Sequence, residues 1–204
     1  MLAAVILAAG DSTRMGTPKA LLADADGRSF VARIARTFGD AGLDQLVVVT
    51  GAQHEAIVNA LAAEGLTGRV SCVRNPDPSR GQLSSLWVGL DAVMRPDLDA
   101  MLMTLVDVPM VKPSTVRAVV EAWKRTGAPI VRPAMGERHG HPVLFDRAVF
   151  DELRRAPLDE GAKAVVHAHA DRVVNVPVDD EGSLLDIDTP ADYDAIVGRI
   201  RTDG

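Results

Sequence analysis

The stretch from Leu7 to Leu22, LAAGDSTRMGTPKALL, limits what this chain can become more than any other. An apolar run from Ala3 to Ala9 leads into it. That run is short and flanked by glycine, so it reads as a strand buried on both faces. The loop after it holds Gly10, Arg14, Gly16 and Lys19. Glycines let backbone amides approach an anion closely. Arg14 adds a planar fork of donors and Lys19 a compact positive charge. At the carboxyl end of a first strand, such a loop is where an α/β sheet holds a phosphate chain. The plain alternative is a surface turn with two solvated cations. Two common phosphate motifs are excluded. A Walker loop needs lysine directly after its second glycine, but Thr17 and Pro18 follow Gly16. A dinucleotide fingerprint G-x-G-x-x-G breaks at Ser12.

Composition narrows the classes. A chain of 204 residues, 47% of them hydrophobic, is long enough for one domain with a sizeable core. A formal charge of −6 argues against a nucleic-acid partner, which would call for a basic face. The single cysteine, Cys72, rules out a disulfide framework and reads as a small buried hydrophobe. The segment Met1 to Ala9 lacks the positive start of a signal peptide, and no run is long enough for a membrane helix. The expectation is therefore a cytoplasmic protein that engages neither membrane nor nucleic acid.

The spacing Leu7-Ala8-Ala9-Gly10-x-Ser12-x-Arg14-Met15-Gly16-x-Pro18-Lys19 resembles the signature of the MobA-like nucleotidyltransferases, and most of all their molybdenum cofactor cytidylyltransferase branch. The resemblance extends over nearly the whole chain. It implies one Rossmann-like α/β domain over residues 1–204. That domain would move a nucleoside monophosphate from a triphosphate to a phosphorylated acceptor, with Mg²⁺ as cofactor. A molybdoenzyme or its sulfur-inserting chaperone is the protein partner it implies.

Along the chain, apolar periodicity predicts alternating elements. Helices are expected at Arg28–Gly42, at Gln53–Glu64 and after Gly81; buried strands are expected at Leu46–Thr50, Val70–Val73 and Ala100–Val106. Alternation of this kind predicts a three-layer fold: a mainly parallel twisted sheet, helices on both faces, with an antiparallel addition near Phe145. Asn75, Gly81 and Ser85 match the family's base- and ribose-contacting segment; capping of the following helix is the other reading of the serine. Asp107 closes the fourth strand, where a carboxylate can hold a hard cation against phosphates; a plain turn former before Pro109 is the alternative.

Further on, Gly140-His141-Pro142 resembles the family's acceptor-side triplet. His139, His141, His167 and His169 lack a third ligand at zinc spacing and read as non-metal residues. The segment Leu158 to Lys163, with Asp159, departs from the family pattern at both ends, which loosens the assignment of the acceptor. Asp186-Ile187-Asp188-Thr189-Pro190 resembles the C-terminal signature, and the resemblance implies that Asp188 joins Asp107 at the metal. Alternation along a strand here puts both carboxylates on one face. A helix is then expected from Pro190 to Arg201, capped by Thr189, with Asp192 facing its dipole.

The resulting expectation is nucleotidyl transfer, with Arg14, Lys19 and Asp107 as catalytic residues. Leu7, Ala8, Ala9, Gly10, Arg14, Gly16, Lys19, Asn75, Gly81 and Ser85 would bind the nucleotide, Asp107 and Asp188 the metal, and Gly140, His141 and Asp159 the acceptor. Ala9, where the guanylyltransferase branch carries glycine, favours CTP as donor. Guanylyl transfer, a sugar-phosphate acceptor and a non-catalytic nucleotide sensor are the competing readings.

Overall fold

Alternating apolar runs and amphipathic stretches give strands β1 (Leu2–Ala8), β2 (Leu46–Thr50), β3 (Val70–Arg74), β4 (Ala100–Leu105), β5 (Ile130–Met135), β6 (Arg138–His139), β7 (Val143–Asp146) and β8 (Val173–Pro177). The helices are α1 (Phe30–Asp40), α2 (His54–Ala63), α3 (Gln82–Val93), α4 (Pro113–Thr126), α5 (Phe150–Arg155) and α6 (Lys163–Ala168). These come from a computed structural model, which describes residues 1–10 and 15–195. The strands join one sheet in the order β3-β2-β1-β4-β7-β5-β6, with β8 also paired to β5. Pairing is parallel from β3 through β4. β7 then inserts antiparallel between β4 and β5, with Met101 opposite Phe145. This is the expected three-layer α/β fold, antiparallel addition included.

Both faces of the sheet are covered, as continuous apolar strands require. Ala4, Ile6 and Ala8 of β1 face α1, α2 and α4, while Ala3, Val5 and Leu7 face α3, α5 and α6. A fully buried Ile or Phe contributes roughly 1.5–3 kcal/mol, and Ile6, Phe38 and Phe145 are all fully buried. Helix α3 lies so close on the sheet that a Cβ at Gly89 would run into Val5.

The connections part at the centre. β1 leaves through α1 over one face toward β2, whereas β3 returns through α3 over the other face to β4. Although α1 and α4 lie on the same face, the loops that leave β1 and β4 border a crevice at the carboxyl ends of these strands, where Lys19 and Asp107 meet. Val106 donates to the Leu7 carbonyl, which carries the β1–β4 pairing one step further toward that crevice.

β5 runs through Arg132 and Pro133 to Met135. Proline is tolerated because it needs no ladder donor there, and its carbonyl accepts from Gly140 N–H. Residues 185–188, where a strand is expected, form none. Cys72 is half-buried rather than buried, since β3 is an edge strand. Among the described residues no helix is long and apolar enough to cross a membrane.

Candidate active site

The end of β1 opens into the glycine loop. A Cβ at Gly10 would meet nothing within 4 Å, so packing does not require glycine there. Gly16 takes φ 65°, a conformation that favours glycine. Arg14 lies outside the described residues. Pro18 then starts a short helical turn, Lys19–Leu21, which anchors Ala20 in the core and holds Lys19 at the crevice.

Lys19 Nζ donates to Asp107 Oδ2 at 3.1 Å and to Asp188 Oδ1 at 2.5 Å. Three residues far apart in sequence thus meet at one point. Burial alone would lower the lysine pKa, but the hydrogen bonds and charges of Asp188 and Asp107 outweigh it and hold it above the ordinary value. Asp107 Oδ1 is buried with no hydrogen-bond partner among the described residues. An unmatched buried carboxylate oxygen is costly unless a cation or donor meets it. No group of three or more His, Cys, Asp or Glu side chains among the described residues is arranged to hold a metal. Carboxylate oxygens are hard donors, and a hard divalent cation commonly takes one or two of them and completes its shell with phosphates and water.

The position of Asp188 comes from two attachments. Ile187, fully buried, donates its N–H to the Asp107 carbonyl at 2.9 Å. Beyond it, Asp192 Oδ2 accepts from Asp188 N–H, Thr189 N–H and Thr189 Oγ1, and Thr189 Oγ1 accepts from Asp192 N–H. This reciprocal cap starts the helix at Pro190, described as far as residue 195. Thr189's hydrogen bonds hold the Asp192 carboxyl below its ordinary pKa. Although no strand forms, burial still alternates: Ile187 is buried, with Asp186 exposed and Asp188 half-exposed. Desolvation and then the charges of Asp107 and Asp188 push the Asp186 carboxyl pKa upward, with Lys19 pulling the other way.

The loop after β3 is built around Asn75. Its side chain donates to Ser84 Oγ and Ser85 Oγ and accepts from Asp77 N–H. Ser84 Oγ donates in turn to the Gly81 carbonyl at 2.7 Å. Asn75 and Ser85 are buried and hold each other, while Gly81, at φ 91°, makes the turn into α3. Next to the crevice, a cleft is lined by Ala8, Ala9, Gly10, Lys19, Gly51 and Gln53, among others. The Ala9 carbonyl lies 2.6 Å from where a Gly51 Cβ would stand, so the ends of β1 and β2 touch.

Residues 4–173 match the family model described as the MobA-like NTP transferase domain. The chain belongs to that family. It is a nucleotidyltransferase of the MobA-like type, with Lys19, Asp107 and Asp188 in its crevice. Among curated proteins it is 32% identical over 133 residues to a probable molybdenum cofactor guanylyltransferase of Rhodopirellula baltica, a match spanning 62% of this chain and 58% of that protein. It is 28% identical over 198 residues to the purine catabolism protein PucB of Bacillus subtilis, covering 94% of each. Among solved structures, Rv0371c of Mycobacterium tuberculosis superposes with a TM-score of 0.82 at 32% identity, covering 97% of each chain. A complex of that protein with manganese superposes at 0.77 with 30% identity, covering 97% of this chain and 98% of that one.

Of the residues expected to bind the acceptor, Gly140 serves the fold: a Cβ there would collide with the Ser183 carbonyl, which accepts from His141 N–H at 2.8 Å. The His141–Pro142 bond is cis. Burial holds the His141 ring below its ordinary pKa, against the Met103 carbonyl and the charge of Asp107, and its Nδ1 has no partner among the described residues. Asp159 sits in the exposed turn between α5 and α6. His169 pairs with Glu152 at 2.8 Å.

Sequence reasoning missed Gly51 and Gln53 in the cleft, although a glycine after a buried strand at Thr50-Gly51 was a readable sign. It also missed Arg80, whose guanidinium lies 5.6 Å from the centre of the Trp87 ring, a cation–π distance at the rim.

Proposed function

We propose that residues 1–204 form one domain that transfers CMP from CTP to a phosphorylated acceptor, molybdopterin cofactor, with Mg²⁺, releasing pyrophosphate. The observation that carries this reading is the Lys19 ammonium between Asp107 and Asp188 at the carboxyl ends of β1 and β4. An acceptor phosphate oxygen bonds to the α-phosphorus as the bond to the β-phosphate bridging oxygen breaks, and pyrophosphate leaves with that electron pair. A phosphate monoester is already anionic near neutral pH, so no general base is needed. The protein's work is positioning and charge neutralisation. Lys19 and Arg14 hold the triphosphate and offset charge growing on the leaving pyrophosphate. Asp107 and Asp188 would hold the divalent cation, a choice supported by the buried, unmatched Asp107 Oδ1 and by the manganese complex of the Mycobacterium tuberculosis relative. When bound, that cation draws the phosphates together and neutralises their charge. Leu7 to Gly10 and Gly16 line the nucleotide's path, with Asn75, Gly81 and Ser85 shaping its base and ribose side. Gly140, His141 and Asp159 belong to the acceptor side.

A second reading, guanylyl transfer, is favoured by the likeness to the guanylyltransferase of Rhodopirellula baltica. The two are separated at Ala9, which is buried at the end of the nucleotide-lining strand. A methyl group there crowds a purine more than a pyrimidine, and guanine N–H donors left unmatched would cost about 1–3 kcal/mol each. Pyrophosphate release is measured with CTP, GTP and ATP against molybdopterin cofactor and a panel of sugar phosphates, in wild type and Ala9→Gly. The expected result is turnover with CTP and molybdopterin cofactor, and a CTP/GTP ratio of kcat/KM that falls in Ala9→Gly. A preference for GTP reverses the donor assignment, turnover with a sugar phosphate alone reverses the acceptor, and no release with any pair favours the nucleotide sensor.

A further inference from the structure

Asp180 is 2% exposed and takes no part in the steps above. Its Oδ2 accepts from Lys112 N–H at 2.9 Å and from Thr115 Oγ1 at 2.5 Å, across a long span of sequence. Lys112 precedes α4 and supplies no side-chain cap of its own, so Asp180 caps that helix from another part of the chain. A neutral serine or asparagine in the local sequence would cap as well without a buried charge. What the distant carboxylate adds is a tie between two loops. One is 106–112, which carries Asp107 and ends at α4. The other is 179–188, which ends with Asp188.

The two loops are laced at several places. Asp180 takes the Lys112 N–H. Gly182 lies so close to the Met110 carbonyl that a Cβ would collide with it. Ile187 N–H bonds the Asp107 carbonyl at 2.9 Å. Asp180 also shapes its own loop, since its carbonyl accepts from both N–H and Oγ of fully buried Ser183. Ser183 in turn holds Gly140 and His141 through its carbonyl. The spacing of the Asp107 and Asp188 carboxylates is thus set by how these loops lie against each other.

We propose that Asp180 is a positioning residue that sets the Asp107–Asp188 spacing and thereby the affinity of the site for its divalent cation. This rests on the reading of Asp107 and Asp188 as the cation-holding pair. Removing a group that orients ligands from behind typically costs on the order of 10–100-fold in metal affinity.

The test is Mn²⁺ binding to the protein without nucleotide or acceptor, followed by the electron paramagnetic resonance signal of free Mn²⁺. Wild type, Asp188→Asn, Asp180→Ala and Thr115→Val are compared, with folding checked by circular dichroism. Asp188→Asn tests the underlying reading and should weaken binding strongly. Asp180→Ala should then weaken it about 10-fold or more, and Thr115→Val, which removes one of the two donors, in the same direction by less. If Asp180→Ala does not fold, Thr115→Val decides: weaker binding supports the proposal and wild-type binding overturns it. A cap and nothing more would lower Tm and leave Mn²⁺ affinity unchanged in folded variants. That result, with Asp188→Asn weakened, overturns this proposal alone; unchanged binding in Asp188→Asn overturns the ligand reading and this proposal with it.

Discussion

The centre of the sheet and its C-terminal flank are held by different physics. β2 and β4 are buried on both faces nearly end to end, as is β1 beyond its first residue, and their neighbours across the ladder are other apolar strands. On the flank, both residues of β6 are exposed and β8 is at best half-buried along its length. Loop 179–188 is fixed by single hydrogen bonds and by backbone approaches that only glycine permits. The proposed active site straddles the two: Lys19 and Asp107 come from the centre and Asp188 from the flank. The centre supplies rigidity through area, which tolerates change of detail; the flank supplies position through particular atoms, which does not.

This contrast can be broken by substitution. Ile6→Ala, at a fully buried position of β1, should cost about 2–5 kcal/mol in urea unfolding. Gly140→Ala should cost about 1–3 kcal/mol, because its methyl group meets the Ser183 carbonyl and the backbone must shift. Val174→Ala on β8 should cost only about 1 kcal/mol, since that side chain is half-buried. For a chain of this length each kcal/mol is worth roughly 2–4 °C in Tm, so calorimetry separates the three. If Val174→Ala were as costly as Ile6→Ala, the division into an apolar centre and a hydrogen-bonded flank would be wrong. The smallest effect on stability belongs to Gly10→Ala, within about 0.5 kcal/mol, because nothing surrounds that Cβ. It should instead weaken nucleoside triphosphate binding in a titration; loss of stability with unchanged binding would move Gly10 from ligand path to fold.

The same division governs what the sequence revealed. β1, β2 and β4 were legible because burial on both faces writes itself as an unbroken apolar run. Lys19, Asp107 and Asp188 were legible as residue types in recognisable strings, although nothing local says that they meet. Asp180 was not: Asp179-Asp180-Glu181-Gly182 reads as a turn, and its partners Lys112 and Thr115 lie far away in sequence. Gly140 stood in a family-like triplet, but its reason, the Ser183 carbonyl, belongs to another loop. Asn75 and Ser85 matched a ligand-binding pattern and are found bonded to each other, a pairing that a string of letters cannot display.

The central claim is that Lys19, Asp107 and Asp188 form a cation-dependent triphosphate site. Calorimetric titration of CTP into wild type and Asp107→Asn, each in Mg²⁺ and in EDTA, tests it without requiring the acceptor. The account predicts that wild type loses affinity on the order of 10-fold or more in EDTA, and that folded Asp107→Asn binds in Mg²⁺ no better than wild type does in EDTA. Equal affinity of both proteins in Mg²⁺, falling equally on chelation, would contradict it and move the cation elsewhere.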